Sequence, residues 1–356
     1  MHRSKPILLF VFSIILFAGL SCKGGKSAGQ EGNSTTDTTA VWPLWEEVTL
    51  EILDSSVLNL LAAEPLVQKL GAGYSWPEGP VWVESEEMLL FTDVPENVIY
   101  SWDEENGARV YLEKSGYTGA EEYSTEQGAN GLIIDATGQL VMCQHGNRAV
   151  ARMEASLKDP KPEYSLLVSD YQGKAFNSPN DLCLSKDGNI YFTDPPYGLP
   201  GQENSEIKEL DFQGVYQWNP DSGLELIYDG LTRPNGIALS PDESHLYVAN
   251  SDHEKALWMV FERNEEGRFV DGRVFYDATA NLDEGPGLPD GLKVDQHGNI
   301  FATGPGGVWI FNPSLEPLGI LKVGQPMANC ALDEKRGWLY MTANDYLLRA
   351  KLNTAN

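Results

Sequence analysis

One short pattern recurs six times along this chain of 356 residues, and it restricts the fold more than any other feature. A Glu, Asn or Asp opens an apolar strand, a turn follows, and a second apolar strand comes after it. The openers are Glu78 (PEGPVWV), Asn130 (ANGLIID), Asn180 (PNDLCLS), Asn235 (PNGIALS), Asp290 (PDGLKVD) and Asn329 (ANCALD), at steps of 52, 50, 55, 55 and 39 residues. The second strand begins ten residues after the opener at Leu140, Ile190, Ile300 and Leu339, and eleven after it at Leu89 and Leu246. In three units a glycine eight residues after the opener marks the turn: Gly138, Gly188 and Gly298. Asp187-Gly188 is a hairpin pair, because such a turn needs positive φ. The second strands (MLLFTD, QLVMCQ, NIYFTD, HLYVAN, NIFATG, WLYMTA) are rich in β-branched and aromatic residues. A third strand often follows, as in NVIYSWD, GVYQWN and GVWIFN.

A unit of this size cannot bury its own apolar face and must stack on its neighbours. Radial stacking makes the chain an all-β, six-bladed β-propeller of four-stranded antiparallel blades around a central channel. No helical period appears after residue 75, which excludes a doubly wound α/β fold. The unequal steps argue against a solenoid, and a large sandwich is the other all-β alternative. Residues 46–73 carry a weakly helical apolar pattern and are expected as a lead-in that packs on the ring or completes it.

The N-terminus reads as a targeting segment. Arg3 and Lys5 precede an apolar run from Ile7 to Phe17, and Ala18, Gly19 and Ser21 lead to Cys22. The layout predicts a signal peptide over 1–21, with an apolar run too short for a good membrane span. The Cys after Gly-Leu-Ser resembles the lipobox of bacterial lipoproteins, which implies diacylation of Cys22 and export of a lipid-anchored protein. A plain secretory signal, giving a soluble secreted protein, is the alternative. Residues 22–45 read as a flexible tether and 46–356 as the propeller. Cys143, Cys183 and Cys330 lie in or beside apolar runs, not at metal-ligand spacing, and read as small buried hydrophobes; a Cys143–Cys183 bridge is the alternative.

With 52 acidic and 25 basic residues the formal net charge is −27, which repels phosphate backbones and excludes nucleic acid as a partner. The acidity keeps an exported protein soluble. On the propeller axis it has a sharper meaning. The residue opening each innermost strand sits near one mouth of the channel, so six such positions converge, and here every one is a carboxylate or a carboxamide. Those are the hard oxygen ligands of a calcium site. Zinc fits less well because no His or Cys stands at the ring. Two carboxylates in one buried channel repel each other unless a cation lies between them. The competing reading is that Asn-Gly and Asp-Gly merely make turns.

Four motifs, Trp-Pro-Glu-Gly-Pro-Val-Trp at 76–82, Ser-Pro-Asn-Asp at 178–181, Arg-Pro-Asn-Gly at 233–236 and Leu-Pro-Asp-Gly at 288–291, resemble those of the SMP-30/gluconolactonase/luciferin-regenerating-enzyme family. Phe-Thr-Asp-Pro-Pro-Tyr-Gly at 192–198 is similar to its bacterial branch, and the resemblance covers about residues 74–350. It implies a calcium-dependent six-bladed propeller that hydrolyses a small lactone or ester. Carried over by position, the metal ligands are Glu78, Asn180, Asn235 and Asp290, the ion being calcium, with zinc, magnesium and manganese as the other candidates. One departure concerns specificity. Animal relatives place an Arg two residues before the third-blade Asn to hold a sugar acid lactone, and that position here is Ser178.

Asp290 is expected to act as the general base that activates water, or as a direct nucleophile. His145, at the end of a second strand, is expected to protonate the leaving alkoxide, and His253 holds the matching position in blade four. A turn or surface histidine is the competing reading of both. Asn130, Asn180, Tyr197 and His253 form the expected substrate-binding set, with Tyr197 and Pro195-Pro196 shaping a pocket wall. Asn329 reads as structural, and Trp76, Trp82, Trp258 and Trp309 as blade-packing aromatics. Phosphotriester hydrolysis on the same scaffold, or a non-catalytic calcium-stabilised binding propeller, are the alternative functions.

Overall fold

The computed structural model describes residues 42–121 and 123–353. The expected signal peptide, the expected acylation site Cys22 and most of the expected tether lie outside them. Six four-stranded antiparallel blades follow one another around a ring, a six-bladed β-propeller. Their innermost strands are Pro77–Val83, Ala129–Ile134, Leu182–Leu184, Pro234–Leu239, Leu292–Val294 and Met327–Asp333. The second strands start at Met88, Leu140, Ile190, His245, Ile300 and Trp338, each at or one residue before the position read from the sequence. The hairpin glycines Gly138, Gly188 and Gly298 have φ of 81°, 85° and 85°, the left-handed backbone that the turns demand.

The lead-in differs from its helical expectation. It holds one 3-10 turn, Ser55–Asn59, between two strands. Thr49–Ile52 pairs with Pro317–Lys322 as a fifth strand on blade five, and Val67–Ala72 pairs with Tyr346–Lys351 as the outer strand of blade six. The physical reason is an unfilled edge: the last three strands of the chain make only three quarters of a blade, and their exposed backbone groups are a template for a further strand. Residues 42–45, placed in the tether by composition, also pack on the ring. The Trp42 ring lies 5.5 Å from that of Trp102, and Trp45 donates its indole N–H to the Val323 carbonyl at 2.9 Å.

Aromatic clusters glue blade to blade. Trp258 and Trp309 are buried with ring centroids 5.7 Å apart, and Trp82 stacks on Tyr340 at 5.5 Å. Cys143 and Cys330 are buried, and Cys143, Cys183 and Cys330 are all free thiols. The burial of two of them in core clusters agrees with the hydrophobe reading, and the bridge does not form.

Candidate active site on the propeller axis

The opener residues are brought to the axis by contacts between adjacent inner strands. The glycine after an opener allows that approach: a Cβ on Gly236 would lie 2.2 Å from the Asp290 carbonyl oxygen, and one on Gly131 would lie 2.8 Å from that of Asn180. Instead their N–H groups donate to those carbonyls, at 3.2 Å from Gly236 and 2.7 Å from Gly131. The Asn-Gly and Asp-Gly pairs are therefore close-approach sites within the ring, not free-standing turns. Buried second-strand threonines add a latch from one blade to the next. Thr92 donates to the Asn130 carbonyl at 3.2 Å, and Thr193 to that of Asn235 at 2.7 Å. Thirteen or fourteen residues separate Glu78 from Thr92, Asn180 from Thr193, Asp290 from Thr303 and Asn329 from Thr342, a periodic signal present in the sequence.

The channel mouth opens into a cavity of about 330 Å³. Glu78, Asn130, Asn180, Asn235 and Asp290 line it, together with Tyr197 and His253. All the predicted metal and substrate positions thus share one cavity. His253 is exposed at its edge, whereas Glu78 and the three asparagines are buried. Ser178 is buried and anchors the loop carrying Tyr197: its hydroxyl donates to the Pro195 carbonyl at 2.6 Å and accepts from the Gly198 N–H at 2.9 Å.

Two expectations are corrected. His145 is fully buried and is not among the residues lining the cavity. Its Nδ1 lies 3.1 Å from the Glu126 carbonyl oxygen, and burial pulls its pKa down to about 4, so it is neutral at pH 7 and does not face a substrate as an acid. Trp76 lines the cavity instead of gluing blades.

Three lining or flanking charges were not foreseen. Glu126 and Arg233 stand on loops over the cavity. Asp181 occupies the place after its opener where four other blades have glycine, and it is 2% exposed. Asp181 Oδ2 lies 3.6 Å from the Lys293 ammonium and accepts from Asn329 Nδ2 at 3.3 Å; Lys293 also donates to Asn329 Oδ1 at 3.3 Å. Asn329 ties this pair together beneath the mouth.

The donor set fits a hard divalent cation. Asn130 Oδ1, Asn180 Oδ1 and Asp290 Oδ1 are buried oxygens without a hydrogen-bond partner. Such atoms also occur elsewhere in the blades, but among the described residues only on the axis do three oxygens of this kind line one cavity, where a bound ion would satisfy them. Asn235 donates its Nδ2 to Ser251 Oγ at 3.1 Å, which leaves Oδ1 as its free donor to a cation. Burial, and then the charge of Asp181, push Glu78 up to about 7 against the pull of the Gly79 N–H. Asp290 is raised well above the carboxylate range by burial and by Glu78, Asp181 and Glu126. Lys293 balances Asp181, so Glu78 and Asp290 are left with a charge that one divalent cation offsets.

The SMP-30/gluconolactonase/LRE-like model matches residues 76–345. The chain belongs to this family. A gluconolactonase of Zymomonas mobilis is 39% identical over 296 residues, spanning 81% of this chain and 82% of that protein. The structure of a gluconolactonase from Xanthomonas campestris superposes with a TM-score of 0.76 at 30% identity, covering 89% of this chain and 99% of that one. A pentonolactonase of Haloferax volcanii is 22% identical, over 64% of this chain and 65% of its own length. The family match spans all six openers, Glu78 to Asn329.

Proposed function

We propose that the axial cavity hydrolyses a small lactone, of the sugar-lactone class, with a divalent cation, calcium first, held by Glu78, Asn180, Asn235 and Asp290. The observation that carries this reading is the convergence of unpartnered buried oxygens with two mutually repelling carboxyls in one cavity. The likeness to gluconolactonases supports the substrate class. A bound cation would supply the positive charge that polarises the carbonyl and stabilises the oxyanion. The chain's own residues do the rest. Asn130 and Tyr197 face the substrate, Arg233 offers hydrogen-bond donors to its hydroxyls, and Trp76 walls one side. Asp290 accepts the proton of the attacking water.

The test is hydrolysis of glucono-δ-lactone and a panel of sugar and aliphatic lactones, with EDTA and then with calcium, magnesium, manganese or zinc restored. Turnover that EDTA abolishes and one ion restores is expected; a folded protein with no turnover on any lactone with any ion overturns the reading. Ion uptake is expected to depend on pH. The ion needs both carboxyls ionised, so it displaces protons near neutrality and its affinity falls as the pH drops below about 7. Because the folded-state values are raised, the cation-free protein loses stability as pH rises from the unfolded carboxylate range, ~4, through about 7. Melting curves at several pH values, with and without calcium, measure both trends.

We also propose that the protein is exported and anchored through lipid on Cys22, on the strength of Arg3, Lys5, the apolar run Ile7–Phe17 and the Cys after Gly-Leu-Ser. Palmitate labelling of the expressed full chain is expected and is lost in Cys22→Ser; an unlabelled wild-type chain sinks the anchor.

A further inference from the structure

The cavity has a base on its floor but still needs a proton donor for the leaving oxygen, since an aliphatic alkoxide is a poor leaving group. His145 does not reach the cavity. Of the other groups there, Arg233 stays charged, and burial beside Asp290 raises Tyr197 further above its ordinary phenol range. His253 is exposed at the edge, and Glu78 and Asp290 belong to the proposed cation site. Glu126 is left.

Its setting is that of a built residue. Glu126 stands on the loop between blade one and the inner strand of blade two, and its side chain lines the cavity. Among the described residues its carboxyl has no hydrogen-bond or ion-pair partner; Arg233 pairs with Glu203 instead. Its backbone is held firmly. The Glu126 carbonyl accepts from His145 Nδ1 at 3.1 Å, the Gln127 carbonyl accepts from the Gly146 N–H at 3.1 Å, and the Gly128 N–H donates to Val94 at 2.8 Å. His145 is thus a positioning residue: its Nδ1 holds that carbonyl, while its buried Nε2 has no partner among the described residues.

We infer, resting on the lactonase reading, that Glu126 is the general acid of the reaction and that His145 acts through it. Water adds to the lactone carbonyl carbon and gives its proton to Asp290. The ring C–O bond then breaks, and the ring oxygen takes the Glu126 proton to become the product hydroxyl. Asp290 returns its proton to Glu126 through solvent, and the product carboxylic acid ionises, releasing one proton to the medium. Burial holds the Glu126 carboxyl at about 7 against the opposing pull of Arg233, so a protonated fraction is present at neutral pH. The titratable and charged groups that share the cavity with it are Glu78, Tyr197, Arg233, His253 and Asp290.

The test compares leaving groups in the full-length, cation-supplied protein. Glu126→Gln should lose about 100-fold in kcat on an aliphatic δ-lactone, yet less than about threefold on dihydrocoumarin, whose phenolate leaves without a proton. The alkaline fall in the wild-type pH profile should also vanish. His145→Leu should show the same leaving-group-selective loss, and His145→Asn, which keeps an N–H donor near the Nδ1 position, should recover most of it. An equal loss on both substrates, or none on the δ-lactone, overturns the assignment while leaving the lactonase reading intact. A wild-type protein inert toward both substrates overturns the two together.

Discussion

Asp290→Asn is expected to lower kcat for lactone hydrolysis by about 10³, within the range found for loss of a positioned base. Asn keeps the volume and one oxygen ligand, so the site retains its shape while the proton acceptor is gone. It also relieves the cost of an acid there: Asp290 is pushed up by burial and then by Glu78, Asp181 and Glu126, and a neutral amide escapes both in the cation-free protein. The variant should therefore melt at or above the wild-type temperature without calcium, and gain less from calcium than the wild type does. Steady-state kinetics at saturating calcium, with melting curves alongside, read both effects. A variant that unfolds in calcium while the wild type is stable would assign the ion a structural role and remove Asp290 from the chemistry.

The second large effect is on stability. Lys293→Met leaves Asp181 without its counter-charge, and Asp181 is 2% exposed, so it cannot recover the loss from water. The Lys293 side chain is 26% exposed, so the cost lies between the ~1 kcal/mol of exposed pairs and the about 3–5 kcal/mol of breaking a fully buried one. Denaturant unfolding of Lys293→Met should show that loss. Adding Asp181→Leu should return most of it, because the charge and its partner are then both gone. If the single variant loses less than about 1 kcal/mol, the figure for exposed pairs, the ammonium is not what holds the floor of the channel together.

Much of this molecule is legible in its sequence, and the reasons differ by element. Glu78, Asn130, Asn180, Asn235 and Asp290 could be found because the ring repeats their position in every blade, so periodicity stands in for three-dimensional proximity. The second strands are legible because hairpins keep them local to the openers. Closure of the ring is not. Val67–Ala72 pairs with a partner some 280 residues away, and VQKLGA has no alternation that distinguishes a paired edge from a loose lead-in. Glu126 sits on a loop where no period marks it, whereas Trp76 and Arg233 each stand two residues before an opener, as Ser178 and Leu288 do, a period that went unused. His145 illustrates the opposite failure. Its place at the end of a second strand is correct, but the side chain turns into the protein to hold Glu126. Asp181 is hidden in a Ser-Pro-Asn-Asp motif that reads as one opener, although the glycine-sized gap at that position was a sign that its side chain had to go elsewhere.

The strand Val67–Ala72 beside Tyr346–Lys351 has a consequence for how the molecule is made. The first part of the ring to leave the ribosome must wait for the last before either is complete. A chain terminated early, or nicked near Tyr346, holds five finished blades and one with an open edge. Such a product cannot shed a blade and settle into a smaller ring, because the clasp joins the two ends of the chain and not two neighbouring units. Synthesis is thereby self-auditing: only a full-length polypeptide can shut the circle, and a truncated one displays an unsatisfied strand edge to the proteases and chaperones that would remove it.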